Sequence, residues 1–321
     1  MTPDAGPGAP ASPGATGVPP TAVVVVTYSI APDALATCVR AVAAAGGADA
    51  VIVVDNGGEA ELPPGVAAEL IPTGGNRGFG AAANLGTARA IAAGCTRIAL
   101  LNDDVVVAPG WLEPLHRRMT ADPRLGAVQP KLLLEGTDPV LVNSVGVTIG
   151  PDGAGRDVGF DEPDGPPFAA VREIDAFTGG AVLFSADFLA DLGGFDERYF
   201  LYYEDVDLAL RGRERGWRYA CEPAGVVWHR PGTSTARIGD RLTVLRERNR
   251  LWSAVRFAGP AVIARAFWLS VRRLRHPPRR AHLRALVAGL AGAPRLLVAR
   301  ARATRRTGQA VVGSGASGLM P

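Results

Sequence analysis

The chain has 321 residues, enough for one large domain or two small ones. It is 47% hydrophobic and 20% charged, with 40 Gly and 26 Pro, and that apolar share excludes a wholly disordered or collagen-like chain. The net charge of +3 conceals two unlike parts. Residues 237–307 hold 18 Arg and two acids, a net +16, while the remainder holds 16 basic and 29 acidic residues, a net −13. Such asymmetry points to a polyanionic partner, either nucleic acid or an anionic membrane surface.

Residues 1–20 are Pro, Gly, Ala, Ser and Thr with little to bury, so a disordered tail is expected there. They show neither the basic nor the apolar stretch of a signal peptide. Residues 22–26 (AVVVV), 51–54 (VIVV) and 98–101 (IALL) are short buried-strand patterns. Between them, residues 34–45 and 80–93 carry helical spacing; Leu35, Val39 and Val42 fall at i, i+4 and i+7. Alternation of this kind predicts a mostly parallel sheet flanked by helices on both faces. Ligands bind such sheets beyond the carboxyl ends of their strands. Those ends carry Thr27-Tyr28, Asp55-Asn56 and Asn102-Asp103-Asp104.

Residues 126–171 are rich in Gly, Pro and Asp and predict short strands and long loops. Residues 177–188 predict a strand after a Gly pair, and residues 205–212 a helix with acids in its first turn. Cys38, Cys95 and Cys221 are odd in number and widely spaced, which fits free thiols in a reducing compartment. No unbroken apolar run reaches the roughly 18 residues of a spanning helix.

Four groups could carry chemistry. Asp103 and Asp104 end a buried strand, where adjacent carboxylates suit a divalent cation; a solvated turn is the plain alternative. Glu204 and Asp205 follow an aromatic run that could raise a carboxyl pKa and make a base; a helix cap is the alternative. His229 follows an apolar run and is either a metal ligand or structural. Residues 78–83 fit a dinucleotide fingerprint but lie after two strand–helix units. They predict a helix N-terminus for phosphate or backbone contact.

Taken in order, Val25-Val-Thr-Tyr28, Val53-Val-Asp-Asn56, Asn76-Arg-Gly-Phe-Gly-Ala-Ala-Ala-Asn84, Leu101-Asn-Asp-Asp104, Thr178-Gly-Gly-Ala, Gly193-Gly-Phe-Asp-Glu197, Tyr203-Glu-Asp-Val-Asp207-Leu and Trp228-His229 resemble the family 2 glycosyltransferases. These are inverting enzymes of the GT-A fold, a Rossmann-like mostly parallel sheet flanked by helices. The likeness is greatest to the bacterial rhamnosyltransferase-like branch, whose members build cell-wall or O-antigen glycans on polyprenyl carriers. It implies that Thr27, Asp55 and Arg77 line the nucleotide pocket, with Tyr28, Asn56, Gly78 and Asn84 of the same motifs. Asn102 replaces the first acid of the family's Asp-x-Asp motif, and either Asn102 or Asp103 touches the donor sugar. Asp104 and His229 would hold a divalent metal, Mg²⁺ or Mn²⁺. Thr178, Gly179 and Gly180 would lie under donor and acceptor, with Asp205 as catalytic base and Glu204 beside it.

The expected domains are a transferase domain over 21–236, a basic helical region over 237–307 and a flexible tail over 308–321. In the basic region, Ile263, Phe267 and Leu274 share one helical face; Leu283, Leu286, Val287 and Leu290 follow helical spacing further on. Basic amphipathic helices of this kind lie in a membrane interface or pack as a helical subdomain. With few interleaved aromatics and no binding motif, nucleic acid is not the expected partner. The resemblance implies transfer of a sugar, best matched by dTDP-rhamnose, to a polyprenyl-linked or polysaccharide acceptor. A cytoplasmic enzyme, peripheral on the inner face of the membrane, is expected. Galactofuranosyl, mannosyl or glucosyl transfer are the alternatives within the class. A nucleotide-dependent oxidoreductase and a non-catalytic glycan-binding scaffold are the alternatives outside it.

Overall fold

The computed structural model describes residues 19–28, 32–230 and 239–314. Most of the tail expected over 1–20 lies outside these residues, as do Ser29 and residues 315–321.

The chain begins with β1 (Thr21–Thr27), buried at every position, then α1 (Pro32–Ala45) and β2 (Ala50–Asp55). Next come β3 (Glu69–Pro72), α2 (Phe79–Ala92), β4 (Arg97–Asn102), β5 (Val105–Val107) and α3 (Leu112–Ala121). The centre holds β6 (Leu125–Leu134), β7 (Val142–Ser144), β8 (Val147–Ile149), β9 (Gly155–Asp157) and β10 (Arg172–Glu173). It continues through β11 (Ala181–Ser185), α4 (Ala186–Leu192), α5 (Glu204–Arg213) and β12 (Arg218–His229). Three helices follow: α6 (Asp240–Phe257), α7 (Pro260–Arg273) and α8 (Arg279–Ser314).

The main sheet runs β3-β2-β1-β4-β11-β6-β12-β10. β1, β2, β3 and β4 are parallel, β11 runs against β4 and β6, and β12 is parallel to β6. Alternate valines of β1 serve opposite faces. Val24 and Val26 join the core under α2, while Val23 and Val25 meet Leu35, Val39 and Val42 of α1. This two-sided burial explains the unbroken valine run.

β6 corrects the expectation of only short strands in the centre: its ten residues are buried except Lys131. Pro130 disguises it, because Pro lacks a ladder donor. The structure accommodates Pro130 with a bulge in β12 between Glu222 and Val226, directly opposite.

The basic region is not a separate body. Leu251 and Ala254 of α6 pack with Ala266 of α7, and Trp252 and Val255 pack with Tyr199 and Leu296. Gly289 of α8 lies so near α6 that a Cβ there would stand 2.6 Å from Leu251 Cδ1. α8 runs on through Ser314.

Candidate active site

Parallel pairing sets the strand ends side by side. Thr27 of β1 pairs with Asp55 of β2, and Val26 with Asn102 of β4. Beyond these ends lies a cavity of about 400 Å³, a size typical of small-ligand sites. Tyr28 and Asn56 line it from the strand ends, Asn76, Gly78 and Phe79 from the start of α2. Asn102, Asp103 and Asp104 face it with Thr178, Gly180 and His229. Asp157, Leu201, Tyr202 and Arg246 complete the part that matters to the chemistry.

The Asn102-Asp103-Asp104 turn divides its labour. Thr27 Oγ1 donates to Asp103 Oδ2 at 2.5 Å. Burial pushes the Asp103 carboxyl up to about 6 against that hydrogen bond, and the Asp104 charge adds to the rise. Asp104 instead faces His229, with Oδ2 3.4 Å from Nε2. The facing follows from β5 pairing with β12, which sets His229 against Val105. Asp104 Oδ1 and His229 Nδ1 are buried without a hydrogen-bond partner. A carboxylate oxygen and an imidazole converging in this way fit a borderline divalent cation such as Mn²⁺. Among the described residues no set of three His, Cys, Asp or Glu converges on one point. Remaining coordination would fall to a diphosphate or water.

Asp205, the second residue of α5, lies directly behind the Thr178–Gly180 wall. Its Oδ2 accepts from Gly179 N at 2.9 Å and its Oδ1 from Val206 N at 2.8 Å. Burial raises its pKa, and those backbone donors oppose the rise. Glu204 is buried and its Oε2 has no partner. Burial and the Asp205 charge push the Glu204 carboxyl well up. Of the pair, Asp205 is therefore the one equipped to carry charge.

Residues 19–253 match the model of glycosyltransferase-like family 2. The chain belongs to that family. An N-acetylglucosaminyl-diphospho-decaprenol L-rhamnosyltransferase of Mycobacterium tuberculosis is 30% identical over 243 residues, 67% of this chain and 77% of that protein. An O-antigen biosynthesis protein of Myxococcus xanthus is 34% identical over 142 residues, 42% of this chain and 11% of that protein. Among solved structures, GalNAc-T7 with UDP, GalNAc and Mn²⁺ superposes with a TM-score of 0.59 at 12% identity. The match covers 80% of this chain and about half, 51%, of that one, and it shows the GT-A fold.

In this glycosyltransferase, several residues matched by motif stand back from the cavity wall. Thr27 is buried beneath Asp103. The Asp55 carboxylate is turned into its own loop, accepting from Gly57 N and Gly58 N at Oδ1 and Ala60 N at Oδ2. Arg77 is exposed, and its backbone N–H donates to Asn56 Oδ1 at 2.8 Å. Asn84 ties α2 to the chain at 195–197, accepting from Phe195 N and donating to Phe195 O. At the start of α2, Gly78 N donates to Asn76 Oδ1 and Phe79 N to Phe200 O, so these two N–H groups are taken by protein.

Gly78 has φ +88, and a Cβ there would meet Phe200 O at 2.5 Å. Only glycine allows this approach. It seats an aromatic turn in which Phe200, Tyr202 and Tyr203 all have positive φ. Such conformations cost about 1–3 kcal/mol each and persist only when held. Asn249 of α6 holds them: its Nδ2 is within 2.9 Å of the carbonyls of Tyr199, Leu201 and Tyr202. Arg246 lies over the Tyr202 ring at 4.3 Å. The family match likewise runs past residue 236 into α6.

Sequence reasoning missed Asp157, Arg246 and Asn249. Asp157 is brought to the cavity from the loop-rich centre by β9, and no local pattern marks it. Burial pushes its carboxyl up to about 6, the Asp205 charge adds to the rise, and Ser144 and His229 oppose it. Asn249 carried a usable signal: a polar amide beside Leu251 and Trp252 in a helix otherwise crowded with Arg.

Proposed function

We propose that this glycosyltransferase is metal-dependent and moves rhamnose from dTDP-rhamnose, with inversion, to a hydroxyl of a lipid-linked or cell-wall glycan. The observation that carries the metal is Asp104 at the cavity wall, its Oδ2 3.4 Å from His229 Nε2 and its buried Oδ1 without a partner. The rhamnosyl group and the polyprenyl-linked acceptor are supported by the name of the Mycobacterium tuberculosis rhamnosyltransferase. The same acceptor class supports a peripheral place on the cytoplasmic face of the cell membrane.

Inversion is typical of the family and requires attack from the face opposite the leaving group. Asp205 takes the proton of the acceptor hydroxyl as its oxygen bonds to the anomeric carbon and the bond to the diphosphate breaks. General-base assistance of this kind contributes roughly 10²–10⁴ in rate. Glu204, its carboxyl pushed well up by burial and the Asp205 charge, stands beside the base. In this reading Tyr28 and Asn56, which line the cavity, take the nucleoside. Asn102 and Asp103, also in the cavity lining, take the sugar in this reading. A cation on Asp104 and His229 would neutralise charge developing on the departing diphosphate.

The test is a thermal-shift screen of nucleotide sugars with and without Mn²⁺. A ligand of the native state raises the melting temperature by linkage. dTDP-rhamnose should give the largest metal-dependent shift. A larger shift with UDP-galactofuranose or a GDP-hexose would overturn the donor, and equal shifts in EDTA would overturn the metal.

A further inference from the structure

We infer that the outer face of α7 and α8 is a docking surface for an anionic lipid bilayer. This deepens the placement at a membrane by naming the face, and its failure leaves the transferase reading standing.

The packing of α8 is inverted relative to an ordinary surface helix. Among the described residues, four of its five buried positions are small, Ala281, Ala285, Gly289 and Gly292, with Gly289 set against Leu251 and Gly292 against Trp252 of α6; Leu296 is the large one. Its outward positions are large and apolar. Leu283, Val287, Leu290 and Leu297 are each more than half exposed, as are Trp268 and Val271 of α7. On a water-facing helix the large apolar residues would be buried. Small residues between helices with large apolar residues outward is the arrangement of helices bathed in lipid.

Charge selects the occupant. Residues 260–303 contain no acid. Arg265, Arg280 and Arg284 are exposed on the same two helices and Arg275 in the turn between them, and Arg272 lies over the Trp268 ring at 4.7 Å. A second copy joined through this face would bring arginine against arginine. An anionic leaflet supplies both an apolar interior and the opposite charge. By length and composition Arg279–Ala303 could also cross a bilayer. The inward face of α8 is instead committed to α6, where Leu296 is buried with Tyr199, Trp252 and Val255. The helix therefore lies along the surface rather than through it. Because α6 also carries Arg246 to the cavity and Asn249 to the aromatic turn, the docked face and the catalytic cavity are joined through one helix.

The experiment is co-sedimentation of the full chain with vesicles of phosphatidylcholine alone or with phosphatidylglycerol, beside tryptophan emission. Anionic vesicles should pellet the protein and shift its emission to the blue, and Trp268→Phe should remove most of that shift. Val287→Asp with Leu290→Asp should weaken binding about tenfold or more at an unchanged melting temperature. Arg280→Glu with Arg284→Glu should weaken it and flatten its salt dependence. Three results overturn the inference: no pelleting with anionic vesicles, undiminished pelleting of the Val287→Asp, Leu290→Asp variant, or self-association abolished by that variant without vesicle binding. Nucleotide-sugar thermal shifts, measured in parallel, should be the same in all these variants.

Discussion

The cavity at the sheet edge and the outer face of α7 and α8 both gather charged side chains, and they hold them in opposite ways. At the cavity each charge has its own setting: Asp103 over Thr27, Asp104 against His229 and, behind the wall, Asp205 accepting from two backbone N–H groups. On the helices the arginines are exposed and set among large apolar residues. The first arrangement suits chemistry, in which one displaced group stops the reaction. The second suits adhesion, in which many weak contacts add. Single substitutions should therefore act steeply in the cavity and gradually on the face.

The largest expected effect is Asp205→Asn, which should lower the transfer rate by roughly 10²–10⁴ while donor binding persists. Near-full turnover would remove Asp205 as the base. Asp157→Asn sharpens the point, because Asp157 opens on the cavity and Asp205 stands behind its wall. A loss of rate smaller than that of Asp205→Asn is expected; the reverse order would transfer the base role to Asp157.

Gly78→Ala should cost about 2–3 kcal/mol in denaturant unfolding, through positive φ and contact with Phe200 O. Asn249→Ala should cost about 1–3 kcal/mol by leaving carbonyls of the aromatic turn unsatisfied. If Asn249→Ala unfolds as the parent does, α6 does not hold the turn. The pH profile is a milder probe. Since burial raises the Asp205 pKa, kcat should fall on acidification at a pH above the ordinary aspartate range. A limb at the ordinary value would mean a solvated base. Smallest of all, a single Arg280→Ala on the helical face should reduce vesicle binding only slightly and leave transfer unchanged.

The parallel half of the sheet was legible because β1, β2 and β4 are buried on both sides and so are written as runs of Val, Ile and Leu. The acids at their ends were legible for the same reason, since the strand fixes where they emerge. β6 was hidden by Pro130, whose acceptance depends on a bulge in a strand some ninety residues later. Asp55 and Asn84 kept their place in the motifs, but neighbouring backbone takes their side chains, which no spacing rule reveals. Helical spacing joined Leu286 with Leu283, Val287 and Leu290. The close approach of Gly289 to α6 turns Leu286 inward, where it packs beside Leu251, and leaves the other three outside.

The most direct test is titration calorimetry of dTDP-rhamnose into the parent, Asp104→Ala and Asp205→Asn proteins, each with Mn²⁺ and with EDTA. Binding should require Mn²⁺, be lost in Asp104→Ala and persist in Asp205→Asn. Equal binding in EDTA by the parent and by Asp104→Ala would contradict the metal-held donor on which the account rests.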